Sequence, residues 1–336
     1  MAYNDRVERS GTSRTAREIP ETVAKDILKD VVEDSAALQL GKTFRMPAYK
    51  HRMRVLKAFA DAFWLNGVTD APGGAGDGSQ AAKDSAMKQT TKLEWDNVYL
   101  TPEEIAVLVP VPDAWMDDSD LAWEEIKSEI RRAFAKKIDL AILFGDGNVP
   151  STFGVGLTQA AVTAGNTLTE GDGTSEGTWG ASGNDLALDI AALGELMANK
   201  GYDVNGFASG PAFDWRLLRQ RDANGNPILN QLDGNFSLYG RPLKMVTNGG
   251  FDKTEATLIT GDWEKLVIGI RQDITFQVFD QAPIFDTSGN LIYNPMQQDG
   301  KVLRAVMRLG YAVPNHVKVL GGTFPFAVLR PENASS

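Results

Sequence analysis

Two spacings of apolar residues alternate along this chain and divide it into segments. After Pro20, Val23, Ile27, Val31 and Val32 fall three and four apart, and Glu21 stands in the first turn, where the helix dipole favours an anion. The pattern predicts a helix that closes between Ser35 and Leu40, before Gly41. The period then changes to two. Met53, Val55, Phe59 and Phe63 are interleaved with charged residues, and Leu93 and Trp95 stand between Lys92, Glu94 and Asp96, so both limbs read as strands with one apolar face. The glycine-rich VTDAPGGAGDGSQAAKDSA, residues 68–86, joins them. The whole stretch from Gly41 to Asp120 reads as a two-stranded arm without a core of its own, and an isolated ribbon is marginal in water. Residues 51–64 fully extended would reach about 45 Å at ~3.3 Å per residue. A globule of 336 residues has a radius of gyration of only about 20 Å. The arm either projects onto other chains or folds back on its own domain as an ordinary hairpin.

Beyond the arm, Ile105 to Pro112 (IAVLVPVP) is an apolar run suited to a buried strand. The strongest helix follows, over residues 120–144. Asp118, Ser119 or Asp120 can cap it, and Trp123, Ile126, Ile130, Phe134, Ile138 and Ile142 form one stripe down its side before Gly145 stops it. Residues 145–184 are rich in Gly, Thr and Ser and mark a boundary. A helix through Leu186, Ile190, Leu193 and Met197, closed by Gly201, opens a region of irregularly alternating helix and strand signals, as in an α+β domain. DTSGN, residues 286–290, marks a turn, and Val302–Val313 with His316–Leu320 supply long terminal strands.

Composition narrows the class without naming a chemistry. With 43% apolar and 23% charged residues the chain is long enough for one large or two modest cores. It holds no Cys, which excludes disulfides, thiolate metal sites and cysteine nucleophiles. MAYNDRVERSGTSRTAREIP has no apolar signal core, and no apolar run approaches the ~20 residues of a membrane span, so the expectation is synthesis in the cytoplasm and no membrane contact. A net charge of −10 argues against a dedicated nucleic-acid reader. The charge is nonetheless unevenly placed. Lys42, Arg45, Lys50, Arg52, Arg54 and Lys57 occur without one acid, whereas residues 113–129 hold Asp113, Asp117, Asp118, Asp120, Glu124, Glu125 and Glu129. These segments are either solvated faces or complementary patches for neighbouring copies, a device that sets register and partner choice.

Candidate chemistry gives way at each place to a simpler reading. The acids from Asp113 to Asp120 could hold a hard cation, but at a helix start capping and dipole compensation explain them. Asp222, Asn224 and Asn226 resemble the start of a calcium loop, yet Gly225 falls at its fourth position and Asp233 at its twelfth, so a polar turn is the reading. GDGNVPSTFGVG lacks the Lys of a phosphate loop. His51 and His316 lie far apart in sequence, and no catalytic residue or cofactor is assigned. The seven Trp, Trp64 and Trp95 among them, are spread out and read as core or interface anchors rather than a stacking platform.

The order of these segments resembles a known family. TxREIPETVAKDILKDVVEDSAAL, the basic arm with its glycine-rich tip, PVPDAWMDDSD running into the long helix, GDWEKLVIGIRQDI and LRAVMRLGYAV together resemble the major capsid proteins of tailed phages, the Hong Kong 97 fold, from about Thr15 to Leu329. The resemblance implies an α+β capsid fold with residues 1–40 as N-terminal arm and first helix, 41–102 as extended loop, 103–184 and 301–336 as peripheral domain with spine helix 120–144, and 185–300 as axial domain. It further implies self-assembly as pentamers and hexamers into an icosahedral virion head around double-stranded DNA. A portal and possible cement proteins would be partners. Nineteen residues precede Pro20, which implies a separate scaffolding protein or none. Lys42, Arg45, Lys50, Arg52, Arg54, Lys57, Trp64, Trp95, Asp117 and Asp118 would then be subunit contacts or face DNA. No lysine aligns with the one that forms a Lys–Asn cross-link in some relatives, so no cross-link is expected. An encapsulin-like compartment shell is the alternative with the same fold, and a soluble hydrolase using acidic residues is the remote one.

Overall fold

A computed structural model describes residues 34–58, 91, 93–113, 120–147, 149–170, 186–218, 237–281, 283–286, 288–315 and 321–332. The helix expected from Pro20, the tip at residues 68–86, Trp64, Asp117, Asp118, the Asp222 to Asn226 turn and His316 lie outside them.

Ser35 is extended and caps a five-residue helix, α1 (Ala36–Leu40), accepting from the Leu38 N–H, and Gly41 closes it. Strand β1 (Lys42–Arg45) follows at once and pairs in parallel with β10 (Val267–Phe279), so the chain from Lys42 to Arg45 belongs to the body and not to the arm expected from residue 41. The arm proper is β2 (His51–Ala58) paired antiparallel with β3 (Glu94–Leu100), a two-stranded sheet with His51 opposite Leu100. Its eight-residue limb spans about 26 Å at ~3.3 Å per residue.

The first body sheet runs in the order β1, β10, β13 (Gly300–Ala312) and β4 (Glu103–Pro112). On one face Leu303, Ala305, Met307, Leu309 and Tyr311 of β13 share a core with Ile126, Ile130, Phe134, Ile138 and Ile142 of the long helix α2 (Asp120–Leu143). These are the helix and stripe that the period predicts, and Gly145 ends the helix at φ 76°. The apolar run at Ile105 is not a buried strand. β4 is an edge whose burial alternates, because every second side chain faces α2 and the others face outward. Pro110 and Pro112 lack the N–H that a central strand would use, and an edge tolerates them.

The second sheet has the order β5 (Thr167–Thr169), β14 (Phe326–Arg330), β9 (Leu258–Gly261), β6 (Gly206–Ser209), β8 (Arg241–Met245) and β7 (Ser237–Leu238). Ala208, Ile259, Phe326 and Val328 point to the core shared with α2 and α3 (Leu157–Thr163). Phe207, Leu258, Ala327 and Leu329 point the other way, beneath α4 (Leu186–Asn199) and α5 (Phe213–Leu218). The sheets cut across the segment boundaries expected from sequence. β10, from segment 185–300, hydrogen-bonds in the first sheet, and β14, from segment 301–336, is an interior strand of the second. β10 also pairs with β1, and β14 with β5 and β9, pairings between distant parts of the chain that chain order alone does not reveal.

Candidate assembly surface

The arm stands on a seat built from glycine. Gly269 of β10 and Gly310 of β13 are direct cross-strand partners. A Cβ on Gly269 would lie 2.6 Å from Met46 Sδ, and one on Gly310 would lie 2.4 Å from the Thr101 carbonyl oxygen. Bare backbone here lets Met46 and Leu100 pack with Ala312 into a small cluster that Phe44, Met53 and Val98 extend. The Arg271 guanidinium donates to the carbonyls of Met46 at 3.0 Å and Pro47 at 2.7 Å, which fixes the turn into the arm. Arg45 pairs with Asp273, and the rings of Phe44 and His51 pack 5.0 Å apart.

Register decides which face of the arm is exposed. Met53 lies opposite Val98 and Val55 opposite Asp96 on the inward side, while Arg52 lies opposite Tyr99, Arg54 opposite Asn97 and Leu56 opposite Trp95 on the other. Trp95, read from the sequence as part of the apolar face of its limb and as a subunit contact, stands on the outward face, 62% exposed, and Tyr99 is 50% exposed beside it. Its parity puts it there, since Val98 and Leu100 take the seat. Lys50 Nζ sits 4.2 Å from the Tyr99 ring centre. Arg52, Arg54 and Lys57 are exposed and have no ion-pair partner among the described residues. The structure thus gathers Lys50, Arg52, Arg54 and Trp95 on one ribbon face, with Lys57 near its bulge, and leaves Lys42 and Arg45 on the body. Arginine with aromatic rings is the composition of an interface core, not of an ordinary solvated strand.

At the far end of the first sheet, residues 280–299 leave β10 and return to β13 through β11 (Ile284–Phe285) and β12 (Leu291–Tyr293). The Asp286 carboxylate accepts from the Ser288 and Asn290 backbone N–H groups and the Asn290 side-chain amide, which shapes the turn and holds its pKa below the usual value. Phe285, Leu291, Ile292 and Met296 are all exposed, Met296 by 80%.

Sequence reasoning missed the buried polar centre of the molecule. Asp139 is fully buried on α2, where its carboxylate accepts from Ser35 Oγ at 2.6 Å, the Ala37 and Ala36 N–H groups at 3.0 and 3.1 Å, and Asn248 Nδ2 at 2.7 Å. One carboxylate thereby ties the start of α1 to the long helix and to the loop after β8. Burial raises its pKa above the ordinary carboxylate value, against the opposing pull of these four donors. In the sequence Asp139 stands near the end of α2 with Lys136 three residues before it, a spacing that offers a local surface pair, so nothing there pointed to Ser35 or Asn248.

Among the described residues no group of three His, Asp or Glu could hold a metal, and no helix is long and apolar enough to cross a membrane. What the surface offers instead is contact area: a ribbon with an exposed basic and aromatic face seated at one end of a sheet and an apolar hairpin at the other. Residues 18–320 match the phage capsid family, and the chain belongs to it. It is 27% identical over 286 residues to the major capsid protein of Staphylococcus phage 80alpha, covering 84% of this chain and 78% of that protein. A solved structure from Microbacterium phage Oxtober96 superposes with a TM-score of 0.72 at 32% identity, over 89% of this chain and 91% of the other. One from Mycobacterium phage Cain gives 0.72 at 27% identity, over 90% and 92%. The protein is a structural component of a virion shell with the Hong Kong 97-like fold expected from the order of its segments.

Proposed function

We propose that copies of this chain gather as pentamers and hexamers in an icosahedral head that encloses double-stranded DNA. The first sheet with α2 is the peripheral part of the tile, the second sheet with α4 and α5 is the axial part, and the β2–β3 ribbon reaches across to a neighbour. The observation that carries this is the exposed Arg52, Arg54, Trp95 and Tyr99 face, which a self-contained protein would have little reason to keep in water. A separate scaffolding protein guides assembly, a portal occupies one vertex, and a cement protein can bind the finished surface. Basic side chains that no neighbour covers make sequence-independent contact with the packaged DNA. Synthesis takes place in the host cytoplasm.

Negative-stain microscopy of the purified chain, alone and with the phage's scaffolding protein, tests the proposal. Closed shells are expected, and heads recovered from infected cells contain DNA. A chain that stays monomeric in both preparations sinks the reading, and shells filled with an enzyme in place of DNA turn it to the compartment alternative.

A further inference from the structure

We infer that the cleft between α4 and the turn joining β7 to β8 is a binding site for a small, neutral aromatic molecule of about the size of indole.

The cleft has a volume of about 230 Å³. Ile190, Val204 and Phe207 form its floor, and all three belong to the core beneath α4. One wall is Gly194, in the middle of α4, where a Cβ would meet no described atom within 4 Å. Glycine inside a helix is destabilising relative to alanine, so its presence there needs a reason. At Gly269 and Gly310 the absent side chain makes room for Met46 and Thr101. No described neighbour makes that use of Gly194. What the missing side chain leaves is open volume over an apolar floor, which a guest molecule can fill.

The mouth of the cleft selects the class of guest. Leu238 and Arg241 are cross-strand partners, so Tyr239 and Gly240, both at positive φ, make a two-residue turn that carries Tyr239 and Arg241 to the rim. The Tyr239 hydroxyl donates to the Ala187 carbonyl at 2.9 Å, and Arg241 pairs with Asp203 at 2.9 Å. One guanidinium and one carboxylate leave the mouth without net charge, which favours neither an anion nor a cation. Phe207 on the floor, with Tyr239 and Arg241 at the rim, instead offers rings that stack and a guanidinium suited to a π face. An apolar cavity of ~150 Å³ takes up benzene, and the larger volume here has room for a second fused ring. Entry asks little of the fold, because both closing bonds lie at the surface and the Asp203 side chain is 85% exposed. A bound ring would join α4 to the edge of the second sheet, where β7 is the last strand.

Titration of the full, unassembled chain with indole, followed by saturation-transfer NMR, tests the site. Binding at about 1 mM or tighter is expected for a guest of this size. Gly194→Leu should fill the cleft and lower the affinity by about tenfold or more. It should also melt no lower than wild type, because leucine is the better helix former and its Cβ meets no described atom. Arg241→Gln, which removes the cation, should weaken binding about two- to fivefold. Indole-3-acetate and tryptamine, which carry a negative and a positive charge on the same ring, should bind no more tightly than indole. A wild-type chain that takes up no indole overturns the inference, as does uptake that Gly194→Leu leaves intact. Tighter binding of either charged compound overturns the neutral class, and a Gly194→Leu chain that melts well below wild type would show that the cleft is already filled by its own chain. Shells that exclude indole while the free chain binds it overturn the inference in favour of a socket for a neighbouring subunit.

Discussion

Removing the Asp139 carboxylate should loosen the point where α1 meets the body. Asp139→Ala leaves two backbone N–H groups of α1 facing a space with no acceptor, while Ser35 Oγ–H can rotate and Asn248 keeps its bond to the Asp34 carbonyl. At ~1–3 kcal/mol for each buried orphan donor, less what is regained by no longer burying a charge, the net loss is about 2–4 kcal/mol. Unfolding entropy of ~2.1 cal/mol/K per residue over this chain makes that a fall in Tm of about 3–6 °C. The assay is calorimetry of unassembled wild type and variant at one protein concentration, so that subunit association does not enter. Asp139→Asn, of nearly the same shape, separates charge from packing. Because burial holds the folded-state pKa above the unfolded value of 3.8, the carboxyl group contributes most to stability below that value and loses the contribution as pH rises through the folded pKa. Asparagine does not titrate. The Tm gap between wild type and Asp139→Asn should therefore be wider near pH 4 than near pH 7. A gap that narrows in acid would show that the four donors outweigh burial, and an Asp139→Ala protein melting within 1 °C of wild type would refute the anchoring role altogether.

Other substitutions address the arm and the second sheet. Gly310→Ala should destabilise by about 1–3 kcal/mol, more than Gly269→Ala, because the first meets a backbone carbonyl and the second the movable end of Met46; the reverse order of Tm values would count against the glycine seat. Trp95→Ala should leave the melting of the unassembled chain within ~0.5 kcal/mol of wild type yet impair shell formation, and a large loss of Tm would show that the ring packs within its own subunit. Glu170→Gln should cost about 1 kcal/mol or less near neutrality, since the bond to Arg216 is partly exposed. Although burial pushes the Glu170 pKa up, the Arg216 guanidinium and Thr257 outweigh it and hold it below 4.5. The wild-type advantage should thus be present above that value and vanish as pH falls through the lowered pKa, which urea titrations at several pH values would measure.

Local information was written most clearly where local forces decide. The long helix announces itself through its stripe from Ile126 to Ile142 and its terminal Gly145, because capping and periodicity act within a few residues. The arm was legible as a ribbon but not in its facing. Leu93 and Trp95 share one parity and Val98 and Leu100 the other, so period two offers two apolar faces, and only the seat on Gly269 and Gly310 selects between them. Strand order was hidden for the same kind of reason. β5 and β14 are neighbours through Val328 and Thr167, a pairing no local pattern encodes. Asp139 was silent because its partners, Ser35 and Asn248, lie 104 and 109 residues away. The basic cluster, by contrast, was visible as composition, although the structure divides it between body and ribbon.

The place of β14 has a consequence for the order of events during synthesis. Of the described strands it is last in the chain, yet it lies between β5 and β9 in the second sheet and buries Phe326 and Val328 in the core shared with α2. A nascent chain that has not yet released residue 330 from the ribosome leaves the facing edges of β5 and β9 unpaired and the core open beside Trp263, whose ring packs against Phe326. The second sheet closes only when translation has passed through Arg330. Synthesis of β14 thereby becomes a condition for a finished tile, and chains cut short before it are left without the fold that a lattice would accept.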